Sequence, residues 1–491
     1  MDKMSGRNRR EFLIATLAAA ISLSAPRRMI AGIHGPNLPL HGNPILPSRG
    51  VCDPQIRVFN GRVYLYATHD ASPTNSTYRM NDWWVWSSDD LVHWEQGSVL
   101  KPEQTFLNKA FSDCWATDAA TRNGQYYFYF SAGPKQIGVV TGTTPLGPWR
   151  DPLGKPLIPE GLTPTEQRDP GLLMDEDGNT YIIFGTWDYY MARLNDNMIS
   201  LAEAPRLVAI NNPEGPYGKG KTDDKPFLHQ RAGKYYLSWG CFYAMADTPY
   251  GPYTYKGSII QPETTAPLFR NSHLSMDRHG SFFELNAQWY YACNDYSQPG
   301  TSAYFRDSVL CYLHYRDNGE LAPVRLDSIG VGQYDAAAGP IQAADYFKLV
   351  GGTIRERPRN RFEVRGLTKG SLLLYPNVRN IPSEAKLVVQ LSNGGASKGR
   401  LEIHSHSIHS NGPEGKIIGS AVIPSTGSWD HYLSIEIPLH SNRSTLDLAF
   451  IFKGESGEFA RLDSWKIVDQ QAGPISPAVS IIDHNPKQRS A

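Results

Sequence analysis

The sequence predicts an all-β chain, a five-bladed β-propeller followed by a C-terminal β-sandwich of jelly-roll type. Three observations predict it. The 491 residues include 44 Gly and 36 Pro, with 11% aromatic and only 20% charged residues, which suits many short strands and turns. A pattern of glycine, any residue, then aromatic or β-branched residues recurs five times at spacings of 63, 54, 55 and 54. Beyond residue 340 comes a separate run of alternating strands.

In chain order, the first element is a targeting segment over 1–32. Asn8-Arg9-Arg10-Glu11-Phe12-Leu13 precedes an apolar stretch from Leu13 to Leu23. Two arginines followed by bulky apolar residues resemble a bacterial twin-arginine export signal; the alternative is a basic, disordered N-terminus. The apolar stretch is too short for a membrane span, and no later segment reaches about 18 apolar residues. A periplasmic or secreted protein is expected, with the export machinery as partner and no membrane association once mature. Lys+Arg and Asp+Glu both number 48. That balance argues against a nucleic-acid partner held by phosphate neutralisation. Cys52, Cys114, Cys241, Cys293 and Cys311 form no Cys-x-x-Cys pair, so most read as small buried apolar residues, with room for one bridge.

The propeller is placed over 40–330. Its repeats begin at Gly61, Gly124, Gly178, Gly233 and, in degenerate form, Ala287, each opening a strand such as Tyr126-Tyr127-Phe128-Tyr129. Pro145-Leu146-Gly147-Pro148-Trp149 recurs as Pro249-Tyr250-Gly251-Pro252-Tyr253. Regular spacing favours blades over a sandwich of unrelated aromatic strands. A polar residue runs in phase with the repeat. Asp53 lies eight before its glycine, Asp118 six, Asp169 and Asp224 nine, and His279 eight before Ala287. On the innermost strands these side chains converge on the axis. Crowded carboxylates push each other's pKa values apart, so one serves as acid and another as base. Glycoside hydrolysis needs that pair of roles. Each acid also has a plainer reading as turn chemistry, and Asp118 is as readily structural. His279 reads equally as an axial ligand for metal or water and as a core histidine.

Residues of about 40–335 resemble glycoside hydrolase family 43. The resemblance rests on Asn43-Pro44-Ile45-Leu46 with Cys52-Asp53-Pro54, on Trp86-Ser87-Ser88-Asp89-Asp90-Leu91-Val92-His93-Trp94, and on Trp115-Ala116-Thr117-Asp118. Arg168-Asp169-Pro170 with Asp175-Glu176-Asp177-Gly178 completes it. The family implies a five-bladed propeller and hydrolysis with inversion. It implies Asp53 as general base and Asp169 as the acid that tunes and orients the donor. The donor, usually Glu in a Glu-Gly-Pro run, falls on Asp224 of Asp224-Lys225-Pro226. Asp is one methylene shorter, and Lys225 can hold it ionised; Asp223 and Glu284 are the reserves. Trp83, Trp84 and Trp86 near the first blade offer a sugar-stacking platform or core packing, with one expected in the sugar site and the rest in the core; Trp84, Trp115, Asp118 and His279 are the substrate-binding candidates. No cofactor is required. A structural calcium beside His279 fits some members, although no metal-loop motif accompanies it.

A linker is read over 331–340, and a sandwich over 341–469 with strands at 372–375, 386–391, 399–404, 433–437 and 446–452. Ile341-Gln342-Ala343-Ala344-Asp345, Thr426-Gly427-Ser428-Trp429 and Phe450-Ile451-Phe452-Lys453-Gly454 resemble carbohydrate-binding module family 6. Two departures weigh against sugar binding there. Gln342-Ala343-Ala344 lacks the glutamates that help hold that module's calcium, and Gly370-Ser371-Leu372 lacks its stacking tryptophan. The tail over 470–491 reads as disordered. The expected function is an exported inverting glycosidase that removes arabinofuranosyl or xylosyl units from plant-type polysaccharides or oligosaccharides. A galactan-acting relative and a non-catalytic carbohydrate-binding propeller are the alternatives.

Overall fold

The computed structural model describes residues 42–260, 278–296, 301–406 and 415–470. The signal-like segment over 1–32 and the tail from 471 lie outside the described residues.

Four of the repeats open with the same hairpin. Asn60-Gly61, Asn123-Gly124, Ala232-Gly233 and Asn286-Ala287 each take two consecutive left-handed φ values. That turn matches the twist of two paired strands. In four blades this hairpin joins a first strand to the aromatic second strand, and in blade three the longer connection over 175–179 does so. Blade one runs Val51–Phe59, Arg62–Asp70, Met80–Ser88, Glu95–Leu100. Blade two runs Cys114–Arg122, Gln125–Ala132, Gln136–Gly142. Blade three is Gly171–Met174, Thr180–Thr186, Asp188–Arg193 and Arg206–Leu207. Blade four is Phe227–Arg231, Lys234–Trp239, Phe242–Ala246 and Tyr253–Ser258, with Ile210–Asn211 parallel on its outer edge. Blade five is Gly280–Leu285, Gln288–Asp295 and Asp307–Leu313.

The five first strands touch in sequence, and the fifth meets the first again, so the ring closes around an axis. Closure is helped by the start of the described chain. Asn43 exchanges hydrogen bonds with the Leu310 backbone at 2.9 Å in both directions, and Ile45 N donates to Ser308 O at 2.9 Å. The repeat's aromatics pack between blades, as where Tyr66 meets Phe128 edge-on at 5.1 Å and Trp149 closes on Phe128 at 5.4 Å. All five cysteines are buried, as apolar filling.

The sandwich is two six-stranded sheets. Its observed strands Leu372–Arg379, Ala385–Ser392, Gly399–His406, Leu433–Pro438 and Leu446–Gly454 contain the five predicted ones. Tyr375, Phe450 and Trp465 centre the core, with ring centroids 5.0–5.6 Å apart. The stretch over 331–340 is not a free linker. Tyr334–Asp335 pairs parallel with Leu372–Arg379, Ala336–Ala338 forms a turn of 3-10 helix, and Val331, Gln333 and Tyr334 are buried. Small residues misled the reading, because Tyr334 supplies the anchor: its hydroxyl accepts from Tyr312 of blade five and donates to Asp345 O.

Candidate active site

The carboxylates gather where the first strands begin. Asp53 sits at a bulge in the pairing of Val51–Phe59 with Arg62–Asp70, and its φ is +50°. A bulge re-aims a side chain that a regular strand would point into the sheet. Here it turns Asp53 to the axis, where it is 4% exposed. Its Oδ1 accepts from Arg306 Nη1 at 2.7 Å and Asn294 Nδ2 at 2.8 Å, and its Oδ2 accepts from Thr68 Oγ1 at 2.6 Å. Burial pushes the carboxyl pKa up; the Arg306 charge, His279 and these hydrogen bonds outweigh it and hold the group well below the carboxylate range. Arg306 is itself pinned by Asp70, which accepts from its Nε at 3.0 Å and its Nη2 at 2.9 Å.

Asp169 stands just before Gly171–Met174, buried, at φ +56°. Ser131 Oγ accepts from its backbone N–H at 2.8 Å, and its Oδ2 accepts from Lys225 N at 3.2 Å. The neighbouring Arg168 reaches Asp224 Oδ2 at 3.2 Å. Asp224 also pairs with Lys225 Nζ, which lies 3.1 Å from Asp223 Oδ2. Asp169, Asp223, Asp224 and Lys225 therefore form one connected cluster. His279 lies between it and Asp53. Its Nδ1 is 3.7 Å from Asp53 Oδ1, its Nε2 is 2.8 Å from Gln55 Nε2, and it feels the charges of Asp53, Asp169 and Lys225. Burial lowers its pKa, so it is neutral near pH 7 despite the pull of the two aspartates.

The other candidates fall out differently. Trp115 is half-buried, with the Arg168 guanidinium 5.2 Å from its ring, so it borders the acid cluster. Trp84 is stacked on His69 at 3.6 Å and packs on the blade-one core; Trp83 and Trp86 are buried. Asp118 is a correction. It is fully buried, clasped by Arg57 Nε at 2.8 Å and Nη2 at 2.5 Å, and accepts from Leu172 N at 2.7 Å. Its offset of six, against eight or nine, puts it about 7–10 Å further along its strand, where it ties blades one, two and three. By strand register the blade-two position equivalent to Asp53, Asp169 and His279 is Ala116. Glu284 is also excluded, exposed and five residues beyond His279 along the strand. Among the described residues no group of three or more His, Cys, Asp or Glu is placed to hold a metal ion. At the start of the sandwich Gln342 instead bonds Asp345 and Phe362 N.

Sequence reasoning missed Thr68, Ser131 and Asn294, the hydrogen-bonding partners of the two axial aspartates. A signal was present. Each lies seven residues after its repeat residue Gly61, Gly124 or Ala287, at the end of a second strand. Arg306 carried none, because the loop before Asp307–Leu313 brings it to Asp53, and Asp70, at the end of Arg62–Asp70, acts only through it.

The sequence profile of glycosyl hydrolases family 43 matches residues 41–321, and that of carbohydrate binding module family 6 matches 342–469. An arabinoxylan arabinofuranohydrolase of Paenibacillus polymyxa is 25% identical, over 94% of this chain and 79% of its own. A xylosidase/arabinosidase of Bacteroides ovatus is 28% identical over 57% of this chain and 96% of its own. The crystal structure of a family 43 arabinoxylan arabinofuranohydrolase from Bacillus subtilis, in complex with cellotetraose, shares the fold. It has a TM-score of 0.52, 21% identity, and coverage of 87% of this chain and 97% of that one. With the profile spanning more than half of the chain, the protein belongs to glycosyl hydrolases family 43, a glycoside hydrolase with a carbohydrate as substrate.

Proposed function

We propose that the protein is an exported, inverting exo-glycosidase that removes pentosyl units, α-L-arabinofuranosyl or β-D-xylosyl, from plant-type polysaccharides or oligosaccharides. The observation that carries this reading is Asp53, a buried carboxylate held ionised by Arg306, Asn294 and Thr68 opposite an acid cluster that contains Asp169 and Asp224. A base needs to be unprotonated, and its surroundings keep it so. Asp53 would take a proton from water as the water oxygen bonds to the anomeric carbon. The bond to the leaving oxygen breaks on the opposite face, and Asp224 would give that oxygen its proton. An inverting pair stands roughly 6.5–9.5 Å apart, leaving room for the water. Asp169 would position the donor segment through the Lys225 backbone. The pentose assignment draws on the named activities of the relatives, and export on the twin-arginine-like segment.

The test is sugar release from arabinoxylan, arabinan, galactan and aryl pentosides by wild type, Asp53→Asn and Asp224→Asn. Loss of about 10²–10⁴-fold in each variant is expected from removing a general acid or base. Release that survives Asp224→Asn would move the donor to Asp223. Absence of release by wild type, with polysaccharide still bound, would leave a carbohydrate-binding propeller.

A further inference from the structure

Trp187 and Tyr217 are the two exposed aromatic side chains among the described residues, at 46% and 51% exposure. They meet each other. Their ring centroids are 5.0 Å apart and their planes cross at 69°. Exposed aromatics scattered singly need no account, but a lone pair brought into contact does. Trp187 also holds a left-handed φ of +65°, a genuine outlier for a bulky residue and one that surrounding structure has to enforce. That backbone presents the indole outward from the turn between Thr180–Thr186 and Asp188–Arg193, at the same face of the propeller as the ends of the other second strands, which hold Thr68, Ser131 and Asn294.

Both rings are tied to the acid-bearing segment. Trp187 N donates to Asp223 O at 3.1 Å, and Thr222 Oγ1 donates to Trp187 O at 2.5 Å. Tyr217 rides at the tip of the hairpin Glu214–Gly215/Gly218–Lys219. That hairpin is anchored by Trp239 Nε1 on Glu214 O at 2.9 Å. It packs so closely that a Cβ on Gly215 would stand 2.8 Å from the carbonyls of Lys221 and Thr222. A cleft of about 500 Å³ opens beside Trp187, lined by Leu207, Ile210, Asn211, Pro213 and Lys221.

We propose that Trp187 and Tyr217 form the stacking platform for the leaving-group side of the substrate, and that its occupant is a β-1,4-linked pyranose main chain. This rests on the hydrolase reading above. A proton donor has to face the leaving oxygen, so the chain that departs lies on the donor's side, where this pair stands. A pyranose chair presents a flat C–H face that suits a flat ring, and the second ring at 69° walls the chain laterally. Trp83 and Trp86 of blade one are buried and Trp84 is covered by His69, so these three do not offer such a surface.

The full chain tests this with xylotetraose as probe. The first readout is its competitive inhibition constant against hydrolysis of an aryl arabinofuranoside, which reports the active-site cleft and not the sandwich. Trp187→Ala and Tyr217→Ala are each expected to raise it about tenfold, with Trp187→Phe within about threefold of wild type. The inhibition constant of L-arabinose, which fills the inner pocket, should move less than about twofold. The second readout needs no turnover: xylotetraose should quench tryptophan fluorescence saturably, and Trp187→Phe should abolish that change. An equal rise for both inhibitors would mean damage to the acid segment and overturn the platform, as would no rise at all. A wild type that hydrolyses nothing, yet shows the Trp187 quench, would keep the platform and remove the hydrolase reading; absence of the quench overturns the platform by itself.

Discussion

Lys225 departs most sharply from what the chemistry asks. It stands at φ +67°, a conformation that glycine adopts without penalty, and its ammonium lies between Asp223 and Asp224. With Arg168 it puts two cations beside the proposed proton donor, and both favour the ionised form. A donor has to carry its proton before it can give it. Removing one cation raises the pKa of the carboxyl, so the protonated fraction persists to higher pH. Lys225→Gly is therefore expected to move the alkaline limb of the kcat/KM profile upward while relieving the left-handed backbone. A pH-rate profile that does not move, or moves downward, would show that Lys225 does not tune the donor. Asp53 makes the opposite demand, and Arg306 meets it. The place of Asp53 near the axis was legible in its phase with the repeat; the grip of Arg306 was not, because it arrives from a loop 253 residues away.

At the scale of single elements, the first strand of each blade carries a polar residue, and the depth of that residue decides its role. At the start of the strand it faces the axis, as with Asp53, Asp169 and His279. Two or three residues deeper it becomes Asp118, a buried clamp between blades. Period alone placed all of them together; only the offset of six separated Asp118. Blade four's first strand carries another titratable group, His229. It is buried, stacked between Tyr236 at 4.6 Å and Phe282 at 4.5 Å, with Nε2 2.8 Å from Tyr315 OH. Burial, with a smaller push from Arg231, lowers its pKa from 6.5 to about 3. A histidine depressed in the fold contributes stability that is full above its unfolded value and lost as pH falls. Stability is therefore expected to decline between about pH 6.5 and 3, by on the order of 4 kcal/mol from this group. Denaturant melts across that range should show a flatter slope for His229→Gln; an unchanged slope would assign acid sensitivity elsewhere.

Across the whole molecule, the sandwich is built into the wall of the propeller. Phe347, Leu374, Ala449 and Ile451 share one apolar cluster with Val51, Leu65, Tyr290 and Ala292 of blades one and five. Tyr346 OH donates to the carbonyl of Ala287, and His314 of the propeller reaches Asp345 at 2.7 Å. Ala287 is the residue that broke the glycine pattern, and its hairpin is the one the sandwich docks against. Propeller and sandwich are thus expected to unfold in one calorimetric transition. Phe347→Ala should cost about 3 kcal/mol and divide that transition into two. Two transitions already present in wild type would show that the shared cluster does not couple them.

The sequence by itself determined the blades and the identity of the axial carboxylates. Both are written in short-range patterns, a two-residue turn and a strand rich in aromatic and β-branched residues repeated at near-constant spacing, which the backbone reads locally. It also determined the sandwich strands, since period-two alternation does not depend on distant partners. Only the tertiary structure decided which cation grips each carboxylate, which carboxylate is a clamp and where aromatic surface stays exposed. Those outcomes depend on contacts between residues far apart in the chain. Arg306 on Asp53, Arg57 on Asp118 and Thr222 on Trp187 are fixed by ring closure and loop path, neither of which leaves a periodic mark.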